Sequence, residues 1–266
     1  MDALRVFDFN KAIVRTPAPS VVDGLRVGTH VGPGHDGVLA EFEAYVAALE
    51  GAGVAVETLP ALDAFPDSVF VEDPAFVLPE GAIVLRPGAA SRIGEAGEIA
   101  PALRRRFERV LTLGEGFADG GDILILPGEI VIGLSGRTDR NGAESFVASM
   151  RALGRRARIA ETPPGVLHFK TACALLDEET VIATPPLAAA AGFEGLDVLI
   201  TPPGEEKAAN LIRVNETVLI GADYPRTAEM LAGRGYSLVQ LDVAEIRKID
   251  AGLSCMSLRW RSQGAP

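Results

Sequence analysis

Four segments of this chain repeat one plan: a short apolar strand, a turn rich in acidic residues or Gly, a second apolar strand, then Gly or Pro. They occupy residues 73–87, 122–134, 171–183 and 208–221. Each reads as a β-hairpin, because β-branched residues favour extended backbone and the turn residues favour reversal. Helical patterns lie between them. Leu39, Phe42, Val46 and Leu49 recur at helical spacing and stop at Gly51 and Gly53. Ile99, Leu103 and Phe107 do the same, as do Phe146, Val147, Met150 and Leu153 between a cap at Asp139 and Gly154. Met230 and Leu231 mark a shorter helix. Strands such as Val54–Thr58 and Ser237–Leu241 follow most helices. The unit is strand–strand–helix–strand, repeated four to five times if a strand at Cys255 and an opening strand at Ala12–Arg15 complete a ring. Such imperfect repetition predicts a closed α/β array rather than an α/β sandwich with coincidental hairpins. No low-complexity linker divides the chain, so one domain over residues 1–266 is expected.

Composition narrows the function. The formal net charge of −11 disfavours nucleic acid and anionic membrane surfaces as partners and suits a cationic substrate. The two cysteines, Cys173 and Cys255, fit neither a disulfide framework nor a zinc-site spacing, which matches a reducing compartment. No run approaches the roughly 20 apolar residues of a membrane span, and the first residues lack an apolar leader. A cytoplasmic protein is expected. The Arg104–Arg106 run reads as a solvated helix face.

Chemistry-bearing residues fall at one place in successive units, just before or at the start of the hairpin. Glu72 and Asp73 precede the first, Asp119 and Asp122 bracket Gly-Gly before the second, and His168 precedes the third. Asn210 starts the fourth, and Cys255 opens the final strand. In a closed array these strand ends converge on the pseudo-axis, so residues far apart in sequence meet in one pocket. Each has an ordinary reading too. A free Cys is usually a small buried hydrophobe, and a lone His needs only a hydrogen-bond partner. Asp-Gly-Gly-Asp also makes a tight turn. In the functional reading Cys255 is a nucleophile, and Asp119 orients the His168 imidazole. Two adjacent carboxylates in an apolar setting are costly without a cation. Arg92 and Arg137 follow strands and suit bidentate capture of a carboxylate. The glycines between Gly24 and Gly37 make a flexible lid or a long surface loop, with His30 and His35 at the surface.

Ordered motifs then carry a resemblance. Residues 65–73 (FPDSVFVED), 86–92 (RPGAASR), 119–122 (DGGD), 167–170 (LHFK) and 252–257 (GLSCMS) resemble the dimethylarginine dimethylaminohydrolase family of the guanidine-modifying superfamily. The resemblance runs from Arg15 nearly to Trp260. It implies the pentein fold, a five-bladed α/β propeller of pseudo-symmetric ββαβ units. It implies Cys255 as nucleophile, His168 as general acid/base and Asp119 as its carboxylate partner. Glu72 and Asp73 are implied to hold the guanidinium, with Asp67 as a further substrate-contacting acid. Arg92 and Arg137 are implied to bind the substrate carboxylate, and Leu25 and Ile249 to contact substrate through backbone groups. The implied activity is hydrolysis of an Nω-methylated arginine to citrulline and methylamine or dimethylamine, with no metal or organic cofactor; a homodimer is compatible with the resemblance. The alternatives are an arginine deiminase, another guanidino hydrolase or an amidinotransferase, whose members are usually longer, and a non-catalytic arginine-binding protein.

Overall fold

The computed structural model describes residues 5–28 and 31–262. Its strands form five three-stranded sheets. The first unit holds β1 (Lys11–Arg15), α1 (His35–Gly51) and β2 (Ala55–Leu59), and the second holds β3 (Ala75–Leu78), β4 (Gly81–Val84), α2 (Glu95–Arg106) and β5 (Val110–Thr112). The third comprises β6 (Ile123–Leu126), β7 (Glu129–Leu134), α3 (Arg140–Ala152) and β8 (Ala157–Glu161). The fourth comprises β9 (Cys173–Leu175), β10 (Thr180–Ala183), α4 (Pro185–Ala190) and β11 (Asp197–Ile200). The fifth comprises β12 (Ile212–Val214), β13 (Thr217–Gly221), α5 (Pro225–Gly233) and β14 (Ser237–Leu241), and β15 (Leu258–Trp260) follows.

In every sheet an antiparallel pair is followed by a parallel third strand reached through a helix, as a short turn and a long crossover respectively require. The first sheet takes its antiparallel partner from the far end of the chain: Lys11 faces Trp260 and Ile13 faces Leu258. The ring is therefore closed by its two ends. The leading strands of adjacent units touch one another, β15 with β3, β6 with β9 and β9 with β12, and so line the axis. Four buried apolar clusters fill the spaces between sheets and helices, centred on residues such as Tyr45, Leu103, Phe146 and Phe169.

The four hairpins and the helices read from spacing are all present, and Asp139 caps α3 by accepting from Gly142 N at 2.7 Å. It also accepts from Phe117 N at 3.2 Å, which ties the incoming loop to the helix start. Asp139→Ala is expected to cost about 1–2 kcal/mol, read as a lower urea midpoint at unchanged slope. Two details differ from the sequence reading. Cys255 does not open a strand but lies in a single 3-10 turn, Leu253–Met256, ahead of β15. The Gly-rich segment is shorter than drawn, because α1 begins at His35; His30 lies outside the described residues. His35 is half-buried, and Arg104–Arg106 form the exposed last turn of α2, where cations complement the helix dipole.

Candidate active site

Short 3-10 turns lead into hairpins at Gly120–Asp122, Phe169–Ala172 and Glu206–Ala209, and another, Leu253–Met256, leads into β15. The first two of these turns touch, the second touches Glu206–Ala209, and Ser254 of the last reaches Asn210 at the end of Glu206–Ala209. This is how the polar residues of separate units reach one another. Leu25, Asp67, Asp73, Arg92, Arg137, His168, Ile249 and Cys255 all line one cavity of about 120 Å³. Asp119 stands behind His168, with Oδ2 3.0 Å from the imidazole Nε2, and the aspartate side chain is long enough for that contact. Its other oxygen accepts from Gly88 N at 2.7 Å, which fixes the carboxylate.

His168 is packed against Gly121, where an added Cβ would lie 2.8 Å from Nδ1 and 3.0 Å from Asp73 Oδ1. Gly121→Ala would push the ring off its position, and a shift of about 1 Å costs on the order of 10²-fold in rate. A steady-state assay with a thermal melt as control reads this loss at retained stability. Burial opposes a charged imidazole, but the Asp119 bond and the charges of Asp73, Asp122 and Asp119 outweigh it and raise the His168 pKa to about 9. The ring is an imidazolium at neutral pH.

Asp73 is buried beside Arg92 and accepts from Arg92 Nη1 and from Gly121 N at 3.2 Å. Burial works against its charge, yet Arg92 and His168 leave its pKa lowered. Arg92 is only 4% exposed and is heavily committed: Nε and Nη2 grip Glu95 at 2.9 and 2.7 Å, and Nη2 also reaches the carbonyls of Phe70 and Asp67. Arg137 is half-buried. Asp67 accepts from Leu25 N at 2.9 Å and Asp250 accepts from Val27 N at 2.6 Å, so two carboxylates fasten the edge of the Gly-rich segment over the cavity. Asp250 takes the left-handed backbone conformation to do so.

Glu72 turns away from this cavity. It pairs with Lys170 and, at 3.4 Å, with Arg259, and the three line a separate cavity of about 110 Å³. Its Oε2 is buried without a hydrogen-bond partner, and burial raises its pKa. Cys255 is 5% exposed; burial and the charges of Glu72 and Asp73 raise its pKa. Cys173 is also a free thiol, fully buried in an apolar cluster, where it packs as a small hydrophobe. Asp122, grouped by sequence with the chemistry-bearing residues, proves to be a positioning group: it accepts from Phe169 N at 2.8 Å and from Ser135 Oγ and Thr138 Oγ1 at 2.7 and 2.6 Å. It thereby ties the His168 turn to the loop that carries Arg137. Glu95 was missed in the sequence, although its spacing of three from Arg92 on a helical stretch signals the pair.

A buried Cys, His and Asp set with further carboxylates, at the axis of five ββαβ sheets, defines an enzyme of the pentein class. The chain is 39% identical over 257 residues to an N(G),N(G)-dimethylarginine dimethylaminohydrolase of Pseudomonas aeruginosa, covering 95% of this chain and 100% of that one. It is 36% identical to the Streptomyces coelicolor enzyme of the same name, covering 94% and 97%. The chain belongs to the dimethylarginine dimethylaminohydrolase family. A solved structure of the Pseudomonas aeruginosa protein, a cysteine-to-serine variant complexed with citrulline, superposes with a TM-score of 0.92 at 38% identity, covering 95% of this chain and all of that one. The N-terminal domain of ArgZ, a cyanobacterial arginine dihydrolase, shares the fold with a TM-score of 0.82 at 17% identity, covering 94% and 96%. No protein-family model matches the chain.

Proposed function

We propose that this chain hydrolyses Nω-methylated arginines, asymmetric dimethylarginine and monomethylarginine, to citrulline and dimethylamine or methylamine. The observation that carries the reading is the meeting of Cys255, His168, Asp73 and Asp67 in one small cavity, in a chain of this family. A guanidinium carbon is a poor electrophile, because its charge is spread over three nitrogens. Asp73, with Asp67 at the cavity wall, orients the cation so that the Cys255 sulfur faces that carbon. The bound cation also offsets the acidic groups that hold the thiol protonated. The thiol releases its proton to solvent as the cation binds; the thiolate then adds to the carbon, and His168 gives its proton to the departing amine as the C–N bond breaks, leaving an S-alkylthiouronium. His168 then takes a proton from water, whose oxygen adds to the same carbon. The C–S bond breaks, the thiolate returns and citrulline leaves.

Asp119 holds the imidazole in line throughout. Glu72 acts from behind the nucleophile, through its charge and its pairing with Lys170. Arg137 supplies the principal charge for the substrate carboxylate, with Arg92 beside it, and the backbone at Leu25 and Ile249 receives the α-amino end. The edge at residues 24–28, fastened by Asp67 and Asp250, serves as part of the lid. Free Cys173 and Cys255 suit a reducing, cytoplasmic setting. Among the described residues no helix is long and apolar enough to cross a membrane. A homodimer belongs to the same reading, and light scattering after size exclusion reads it directly.

Citrulline release from dimethylarginine, monomethylarginine and arginine by the purified protein tests the activity. Methylated substrates should turn over faster. Preferred turnover of arginine would make the protein a deiminase, and tight binding without turnover would make it an arginine-binding protein.

A pH profile follows from His168. Its folded pKa, near 9, lies above its ordinary 6.5, so its charge–charge stabilisation is complete below pH 6.5 and disappears as pH rises through about 9. The acid required for amine departure is lost over the same range. Asp119→Asn removes the strongest support of the imidazolium, so the alkaline limb of kcat should move at least about one pH unit lower. An unmoved limb would assign it to another group.

A further inference from the structure

Asn210 stands where the Glu206–Ala209 turn ends, just before β12. Its Oδ1 accepts from Ser254 Oγ at 2.6 Å and from Ser254 N at 3.4 Å. A backbone N–H can only donate, so the amide oxygen must face Ser254 and the amide nitrogen must face the other way. That nitrogen, Nδ2, lies 3.9 Å from the Cys255 sulfur. Gly252 closes the remaining side: an added Cβ there would sit 2.5 Å from Asn210 Cγ and Nδ2, leaving little room for another orientation. The amide is thus locked with its N–H groups toward the nucleophile.

The charged surroundings of the sulfur make such a donor consequential. Burial, Glu72 and Asp73 all disfavour the thiolate, while a backbone hydrogen bond from Gly252 and the charge of Lys170 oppose them. His168 lines the same cavity. A neutral amide donor favours a thiolate over a thiol without competing with the guanidinium for Asp73. It also has no charge that would repel a cationic substrate. We propose that Asn210 is a catalytic hydrogen-bond donor to the Cys255 thiolate, held in its orientation by Ser254 and Gly252. The inference rests on Cys255 being the nucleophile of the reaction proposed above.

The rate of Cys255 alkylation by iodoacetamide in substrate-free enzyme, followed against pH by intact mass, reads the thiolate without any turnover. Asn210→Asp keeps the shape and the Ser254 oxygen contact but replaces the donor with an acceptor. Its inflection should move up by at least about one pH unit, and kcat should fall about 10–100-fold with KM within about threefold. Asn210→Ala should shift in the same direction by less. Ser254→Ala, which frees the amide to turn, should move the inflection upward while the intact Asn210 contributes only in part; it carries the test if position 210 tolerates neither change. Inflections and kcat values equal to those of the parent in the folded variants would overturn the proposal. A shifted inflection in an enzyme that releases no citrulline would uphold the donor role and sink the proposed activity instead.

Discussion

Cys255→Ser yields a folded protein that releases no measurable citrulline: that is the expected result, with a rate loss on the order of 10⁴-fold or more, the size found when a covalent nucleophile is removed. The reason lies in acidity. A serine hydroxyl holds its proton far more strongly than a thiol, and this site places two carboxylates near the reacting atom. His168 is already an imidazolium at neutral pH and is not available to take that proton. The fold should be indifferent to the change. The sulfur's side-chain contacts to Asn210 and Ser254 are long, at 3.9 Å, and the Cys and Ser side chains are close in size. A stability change below about 1 kcal/mol, hence a melting shift of a few degrees, is anticipated. Intact mass after an acid quench should show a covalent adduct on the parent and none on the variant. Residual turnover above one hundredth would move the nucleophile elsewhere.

Arg92→Met is expected to be the most destabilising change near the site, by about 3–5 kcal/mol in urea unfolding. Arg92 is the shared counter-ion of Asp73 and Glu95, all three buried. Removing it strands two carboxylates where burial already penalises charge and leaves the Phe70 carbonyl without this donor. The pH dependence discriminates lost ion pairing from poor packing. Asp73 has a lowered folded pKa in the parent, so its contribution is present above its ordinary value near 4 and fades as pH falls below it. In the variant the stranded carboxylates relieve their penalty by protonating. The stability gap between parent and variant should therefore narrow in acid. A gap constant from pH 7 to 4 would point to packing. Adding Glu95→Leu to Arg92→Met should recover part of the loss, because one buried charge is then removed with its partner. The same network limits how freely Arg92 serves a substrate carboxylate: its fork is mostly engaged with the protein, which leaves Arg137 as the freer cation.

The repeat was legible because hairpin chemistry is local. A β-branched run, an acidic or glycine turn and a second run announce themselves within fifteen residues or so. The short third strands were harder: Val110–Thr112 and Asp197–Ile200 are three and four residues long and gain their identity from parallel pairing with a strand across a helix. The brief α4, six residues beginning Pro185-Pro186, shows too little of a period to be read. Convergence of the strand ends followed from closure alone, which is why Asp73, His168 and Cys255 could be grouped without a structure. What escaped was partnership through space. Glu72 and Asp73 are neighbours in sequence, yet one lines the site with Arg92 and the other faces Lys170 and Arg259 on the far side. Nothing in the order of residues says that Asn210 leans on Ser254, because that bond joins two units of the ring.

The pairing of β1 with β15 has a consequence for how the protein comes to be active. Because the turn bearing Cys255 directly precedes the strand that seals the ring, sealing and arming are one event in the reaction proposed here. A nascent chain, however many of its sheets have already assembled, has no poised sulfur until its last strand docks against its first. Partly made or terminally clipped molecules would thus be inert toward guanidines rather than sloppy toward them. Permuting the chain, with the old ends joined and new ones cut between two other sheets, would separate sealing from arming and let each be timed on its own.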